Sequence, residues 1–262
     1  MPIASTRCRC RRTTTLLFAL GCGVAGPGQV AAQSIAGPTP IEKMPEQPGA
    51  VRWWHGALFV GGVSGLMLLD NAVRSGVQDV RGGGTNGVAS TVRHFGQPEV
   101  YGTAALGLIT AGLVTRDPKV LGAGKHLAAS LALSSGMIYG GKALFGRARP
   151  DDLIHDGDDF GLFSGRGSLP SGHTAMAFAL ATSLSDDIHR PWATVGLYTA
   201  AGAVGWSRMN DNRHWFSDVA AGAVIGIVSA KVASGRWTIF GLRAPSVITG
   251  PRGVGLGWQA AF

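Results

Sequence analysis

Three short segments bring together the residue types that handle a phosphate group. Lys142 and Arg149-Pro150 are separated by six residues in KALFGRARP. Pro170-Ser171-Gly172-His173 opens an apolar run. Ser207-Arg208 is followed after five residues by His214, and after three more by Asp218. Lys and Arg are natural donors to phosphate oxygens. A helix starting after Ser171 and Gly172 would offer free backbone N–H groups to the same anion, and Gly172 has no side chain to block a close approach. His214 and Asp218 stand four residues apart and so share a helix face. A carboxylate that takes a proton from one ring nitrogen leaves the other facing a substrate, the logic of an oriented nucleophile. His173 adds a second group that titrates near neutral pH, as general acid–base chemistry needs.

Each segment alone has an ordinary explanation: cations complementing a helix end, an N-cap, a local hydrogen bond. Together they are more specific. Only 15% of the 262 residues are charged, yet three cations, two histidines and one carboxylate gather at helix ends. Other polar residues fall outside the pattern. The loop acids Asp151, Asp152, Asp156, Asp158 and Asp159 lack calcium-loop spacing and read as a solvated rim. His55, His94, His126, His155 and His189 match no motif.

The elements that must position these groups read as helices. From Trp53 onward, uncharged runs cover 56–69, 100–115 and 127–141, with breaks at Asp70, at GGGTNG (82–87) and at Asp117-Pro118. A Pro/Gly/Asp-rich loop spans 150–168, and helices fit 171–189, 191–208 and 213–234. The fold class is all-α, a compact bundle of about six helices over 53–235. None of these uncharged runs reaches 18 residues, the length that signals a membrane span. The G-x-x-x-G spacings at 61–65, 136–140 and 222–226 let helices approach closely, in lipid or in a soluble bundle. In the tail, 236–262, turn residues at 250–253 between β-prone runs predict a short hairpin.

Residues 1–32 read as a signal peptide: Arg7, Arg9, Arg11 and Arg12, then an apolar stretch from Leu16 to Gly26, then small residues up to Ala32. Residues 33–52 hold four prolines and read as a linker. All three cysteines lie in the signal segment, so the mature chain would have no disulfide and no thiolate. The segment also holds four of the 23 basic residues and none of the 15 acidic ones, leaving a net charge of +4. That balance, with no basic stripe carrying aromatics, excludes a nucleic-acid partner. Export places the domain in the periplasm, resting on the membrane surface in preference to spanning it.

The combined pattern K-x6-RP, PSGH and SR-x5-H-x3-D resembles that of the type 2 phosphatidic acid phosphatase superfamily, which also includes class A acid phosphatases and vanadium haloperoxidases. All three motifs are complete and in the family order, with nineteen residues between the first two and thirty-three between the last two. The resemblance covers about 53–235. It implies a phosphatase in which His214 attacks phosphorus and forms a phosphohistidine, and Asp218 orients it. His173 would protonate the leaving oxygen and then activate water. Lys142, Arg149, Ser171, Gly172 and Arg208 would hold the phosphate. No metal or other cofactor is implied, and vanadate would bind as an inhibitor. The substrate would be a phosphate monoester or a lipid (pyro)phosphate. The alternative the same motifs leave open is a vanadium-dependent haloperoxidase, with vanadate in this pocket.

Overall fold

Small residues, not large apolar ones, set the spacing of the helices. The structure, a computed structural model, describes residues 49–152, 154, 159–241, 246–250 and 253–257. The signal segment, most of the proline-rich stretch, His155, Asp156 and Asp158 lie outside the described residues. Eight helices are described: α1 (Trp53–Met67), α2 (Asp70–Asp79), α3 (Gly83–Phe95), α4 (Pro98–Thr115), α5 (Pro118–Phe145), α6 (Gly172–Ile188), α7 (Pro191–Asn210) and α8 (Phe216–Ala233). The expected count of about six is therefore corrected. The two additional helices are α2 and α3. The glycines of GGGTNG suggest a loop, but Gly82 to Gly84 occupy only the cap and first turn of α3, where their low helix propensity costs least.

Helix ends carry the expected signals. Pro98, Pro118 and Pro191 occupy first-turn positions, where the missing N–H is not needed. Asp117 caps α5 by accepting from the Lys119 N–H at 2.8 Å. The α5 helix ends at Gly146 with φ +50°, and a side chain there would collide with the Gly161 carbonyl.

The helix α6 runs through the middle, packed against α5, α7 and α8. Ala175, Ala177, Ala179 and Ala181 point to different sides of it and all are nearly inaccessible. The main core joins Ala177, Ala179 and Ala181 to Tyr101 and Ala105 of α4, Leu127 and Leu131 of α5, and Ala201 and Val204 of α7, while Ala175 packs with Ile138 of α5 and Ile225 of α8. Of the three G-x-x-x-G spacings, only 222–226 serves a close helix approach. A Cβ on Gly222 would stand 2.5 Å from the Ser171 carbonyl oxygen, and one on Gly226 would meet the Ala175 carbonyl. At Gly61, Gly65, Gly136 and Gly140 an added Cβ would meet nothing within 4 Å. Buried hydroxyls pair across helices, with Ser130 to Ser183 at 2.9 Å and Thr182 to Tyr198 at 2.8 Å.

Two small sheets complete the described chain. Strand β1 (Gly49–Val51) pairs in parallel with β2 (Trp237–Ile239), tying the segment before α1 to the one after α8. Strands β3 (Ser246–Gly250) and β4 (Gly253–Gly257) form the expected C-terminal antiparallel hairpin. Among the described helices, α8 is long and apolar enough to cross a membrane, with half of its apolar window buried inside the bundle. The α1–α2 pair passes the same test only as a unit bent by 52°.

Candidate active site

The four elements that carry the motifs meet at one end of the bundle. The last turn of α5 brings Lys142, the loop after it Arg149, the start of α6 Ser171 to His173, the end of α7 Arg208, the segment just before α8 His214, and the first turn of α8 Asp218. All eight residues named from the sequence are described.

Close helix packing holds this end in register. Ser171 is the N-cap residue of α6, as its type suggests, but its hydroxyl does not cap the helix. It accepts from the Thr174 hydroxyl at 3.0 Å, which leaves its own proton free to donate elsewhere. The Ser171 N–H donates to the Asp218 main-chain carbonyl at 3.0 Å, locking the two helix starts together. The Leu169–Pro170 bond is cis, and a Cβ on Gly141 would lie 2.8 Å from the Pro170 ring. The segment carrying the Pro-Ser-Gly-His motif thus rests directly on α5.

His214 is buried at 6% exposure, and its Nδ1 lies 2.8 Å from the Ser168 carbonyl oxygen. The Asp218 carboxylate is farther from Nδ1, at 3.7 Å. A carbonyl can only accept, so Nδ1 carries the proton and Nε2 is left as the free nucleophilic nitrogen. The sequence expectation that Asp218 orients His214 is thus modified in detail: the direct contact is to main chain, and the carboxylate stands behind it. Burial pushes the His214 pKa down, against the pull of Asp218. Asp218 is itself fully buried. Burial alone would raise its carboxyl, but His214, Arg147 and Ser168 outweigh that and hold it below its usual range. Its oxygens accept from Ser168 Oγ at 2.5 Å, the Trp215 N–H at 3.0 Å and Arg147 at 2.9 Å.

His173 has no side-chain hydrogen bond among the described residues. Burial, joined by the positive charges of Arg208, His214, Lys142 and Arg93, lowers its pKa to about 4. Lys142 donates to the Gly167 carbonyl at 2.9 Å, and burial followed by the neighbouring Arg149 charge lowers its pKa. Arg208 is 7% exposed and donates to Asp211 at 2.9 Å. Its Nε is buried with no partner among the described residues. A buried guanidinium donor left open is costly unless something arrives to accept from it. The site is an electropositive cup with a free histidine on one side and an oriented histidine on the other.

Residues 123–238 match the model of the PAP2 superfamily, and this segment contains all three motifs. Over this segment the chain is similar to the PAP2 superfamily. Over 112 residues the chain is 43% identical to the lipid A 1-phosphatase of Porphyromonas gingivalis, a match covering 42% of this chain and 22% of the relative. The chain therefore spans under a quarter of that relative's length. The crystal structure of LpxE from Aquifex aeolicus aligns with a TM-score of 0.51 and 26% identity, over 63% of this chain and 94% of that one. The transmembrane PAP2 type phosphatidylglycerolphosphate phosphatase of Bacillus subtilis aligns at 0.53 and 19% identity, over 69% and 92%. The second likeness is one of fold.

Around the PAP2 motifs the structure adds residues that the sequence reading did not single out. Arg147 lies inside the first motif, 1% exposed, between Asp218 at 2.9 Å and Asp70 at 2.8 Å. Asp211 bridges Arg208 to Arg93 of α3. Ser168 serves His214 through its carbonyl and Asp218 through its hydroxyl. The only sequence signal for Asp70 was a lone acid ending an uncharged run. The loop acids engage in pairing: Asp159 with Arg166 at 2.6 Å and Asp151 with Arg213 at 2.9 Å.

Proposed function

We propose that the chain is a metal-independent phosphatase of the cell envelope that hydrolyses a lipid phosphate ester at a membrane surface. The observation that carries this reading is the buried Arg208 Nε, which has no partner among the described residues and is set among two other cations and two histidines. In the proposed reaction, His214 Nε2 attacks phosphorus while Lys142, Arg149 and Arg208 take up the charge on the non-bridging oxygens. The Ser171 hydroxyl and the backbone at Gly172 add donors. The P–O bond to the leaving group breaks as His173 delivers its proton. His173 then removes a proton from water, which attacks the phosphohistidine and frees inorganic phosphate and neutral His214.

His173 at about 4 is neutral in the empty site at pH 7. The arriving phosphate anion offsets the positive charges that depress it, so His173 becomes an acid only when substrate is bound. Three cations supply the charge neutralisation that a metal would otherwise provide. A lipid substrate is supported by the named activities of the relatives and by the wall beside His173. An apolar cavity of about 290 Å³ lies there, lined by Val92, Phe95, Tyr101, Leu180, Leu197 and Val204. Gly96 bridges the two: a Cβ on it would stand 2.7 Å from Val204 and 3.4 Å from the His173 ring. The relatives named for an activity are phosphatases, which favours hydrolysis over the haloperoxidase alternative.

The test is phosphate release from phosphatidic acid and from an isoprenyl diphosphate in mixed micelles, with and without EDTA and vanadate. Release should resist EDTA and stop with vanadate. The phosphoenzyme trapped from labelled substrate should be acid-labile and base-stable, as a phosphohistidine is. Wild-type turnover by His214→Ala would refute the mechanism.

A further inference from the structure

Behind the candidate nucleophile a buried charged chain runs from the motif residue Asp218 through Arg147, at an unspecified position of the first motif, to Asp70, outside all three motifs. Asp70 opens α2, from a part of the chain outside the family match. It is 3% exposed and is engaged on both oxygens. One accepts from the Ser217 N–H at 2.8 Å; the other accepts from Ser217 Oγ at 2.6 Å and from Arg147 at 2.8 Å. Arg147 reaches from Asp70 to the Asp218 carboxylate and also donates to Ser217 Oγ at 2.7 Å. Its guanidinium is held 5.2 Å from the Trp215 ring centroid and 5.5 Å from that of Phe160. Both carboxylates and the guanidinium are almost wholly removed from water.

Such an arrangement is hard to explain as a stabilising device. Burying three charges costs desolvation free energy that well-packed apolar residues would not. Capping the start of α8, which Asp70 does from another helix, needs only one polar group. Asp70 adds a second negative charge beside the one on Asp218, fixed in a low dielectric behind His214, where it is poorly screened.

We propose that Asp70 and Arg147 are positioning residues that hold Asp218 in place and set the charge behind His214. This rests on the phosphohistidine reading above. During attack His214 becomes positively charged. Arg147 alone would cancel the Asp218 charge; Asp70 restores it. The groups facing His214, which lies just before α8, are Asp218 from the first turn of α8, Lys142 from α5, His173 from α6 and Arg208 from α7. Removing the Asp70 charge therefore makes the surroundings of His214 more positive, favours its neutral form and weakens it as a nucleophile.

The experiment is steady-state hydrolysis of p-nitrophenyl phosphate from pH 4 to 9 by the full chain. Asp70→Asn, Arg147→Lys, Arg147→Met and His214→Ala are compared, with circular dichroism melts to confirm folding. Asp70→Asn should lower kcat on the order of 10- to 100-fold with little change in KM, as loss of a supporting partner does elsewhere. It should also move the acid limb of kcat/KM down by roughly half a pH unit or more. Arg147→Met should move that limb up, and Arg147→Lys should leave it in place, because only the charge matters to it. If Arg147→Met does not fold, the other two decide. A folded Asp70→Asn with an unmoved acid limb, while His214→Ala is inactive, would overturn this proposal alone. A fully active His214→Ala would overturn it together with the nucleophile reading.

Discussion

The most exacting test of the site concerns the protonation of His173. In the empty site burial and four positively charged neighbours bring it from 6.5 to about 4. Vanadate is the perturbation, since it places negative charge where the phosphate would sit. One unit charge ~4 Å away at an effective dielectric of ~20 is worth ~4 kcal/mol, or about three pH units. Bound vanadate should therefore return His173 to roughly 6–7. The assay is NMR titration of ring-labelled histidines in detergent, with His173→Gln to assign the signal. The same shift sets a stability window. The folded pKa lies below the unfolded one, so the unfolded state binds more protons between them. Stability is fully present above about 6.5 and falls as pH drops toward 4, by about 1–3 kcal/mol once partial solvent exposure is allowed for. A His173 that titrates near 6.5 without vanadate, or stays near 4 with it, would refute the reasoning.

Further tests separate packing, binding and location. Gly226→Val should destabilise the domain by about 1–3 kcal/mol, because its side chain would drive into the Ala175 carbonyl. Gly61→Ala, in open space on α1, should instead raise stability by about 0.5–1 kcal/mol; thermal melts of the two variants decide. Arg208→Ala should lower kcat/KM by on the order of a hundred- to a thousandfold in phosphate-release assays, while Arg190→Ala at the far end of α7 should leave it unchanged. Fractionation without detergent should find the expressed protein with membranes, released by high salt or carbonate if it rests on the surface. Retention after carbonate would favour spanning helices instead.

The candidate set was legible because it is carried by local chemistry. Pro-Ser-Gly-His marks a helix start, and α6 begins at Gly172. The spacing of His214 and Asp218 suggested one helix face; α8 instead begins at Phe216, so His214 lies just before the helix and reaches Asp218 at 3.7 Å from outside it. The helix count was less legible. Gly82 to Gly84 punctuate the chain as a loop would, yet tertiary packing of α3 against α7 carries the helix through them. The G-x-x-x-G spacings were equally ambiguous: the pattern is identical at 61–65 and at 222–226, but only the second faces a neighbouring backbone.

What no local pattern could show is which long-range partner a buried group finds. Asp70 and Ser217 are 147 positions apart, and Arg147 stands between two motif residues as an unremarked letter. The burden they carry is nonetheless predictable in kind. A carboxylate buried beside His214 would not stay ionised unless its charge were matched, since an unpaired buried charge costs several kcal/mol. Once Asp218 is placed at the start of α8 with no solvent access, a cation must be found for it. Lys142, Arg149 and Arg208 are unavailable if they face the phosphate. The search is then confined to the remaining basic residues near the motif loops, and Arg147 is the one whose position after Gly146 turns it inward. Asp70, at the first position of α2, supplies a second carboxylate to that cation, and the proposed tuning of His214 gives it a chemical reason to be there.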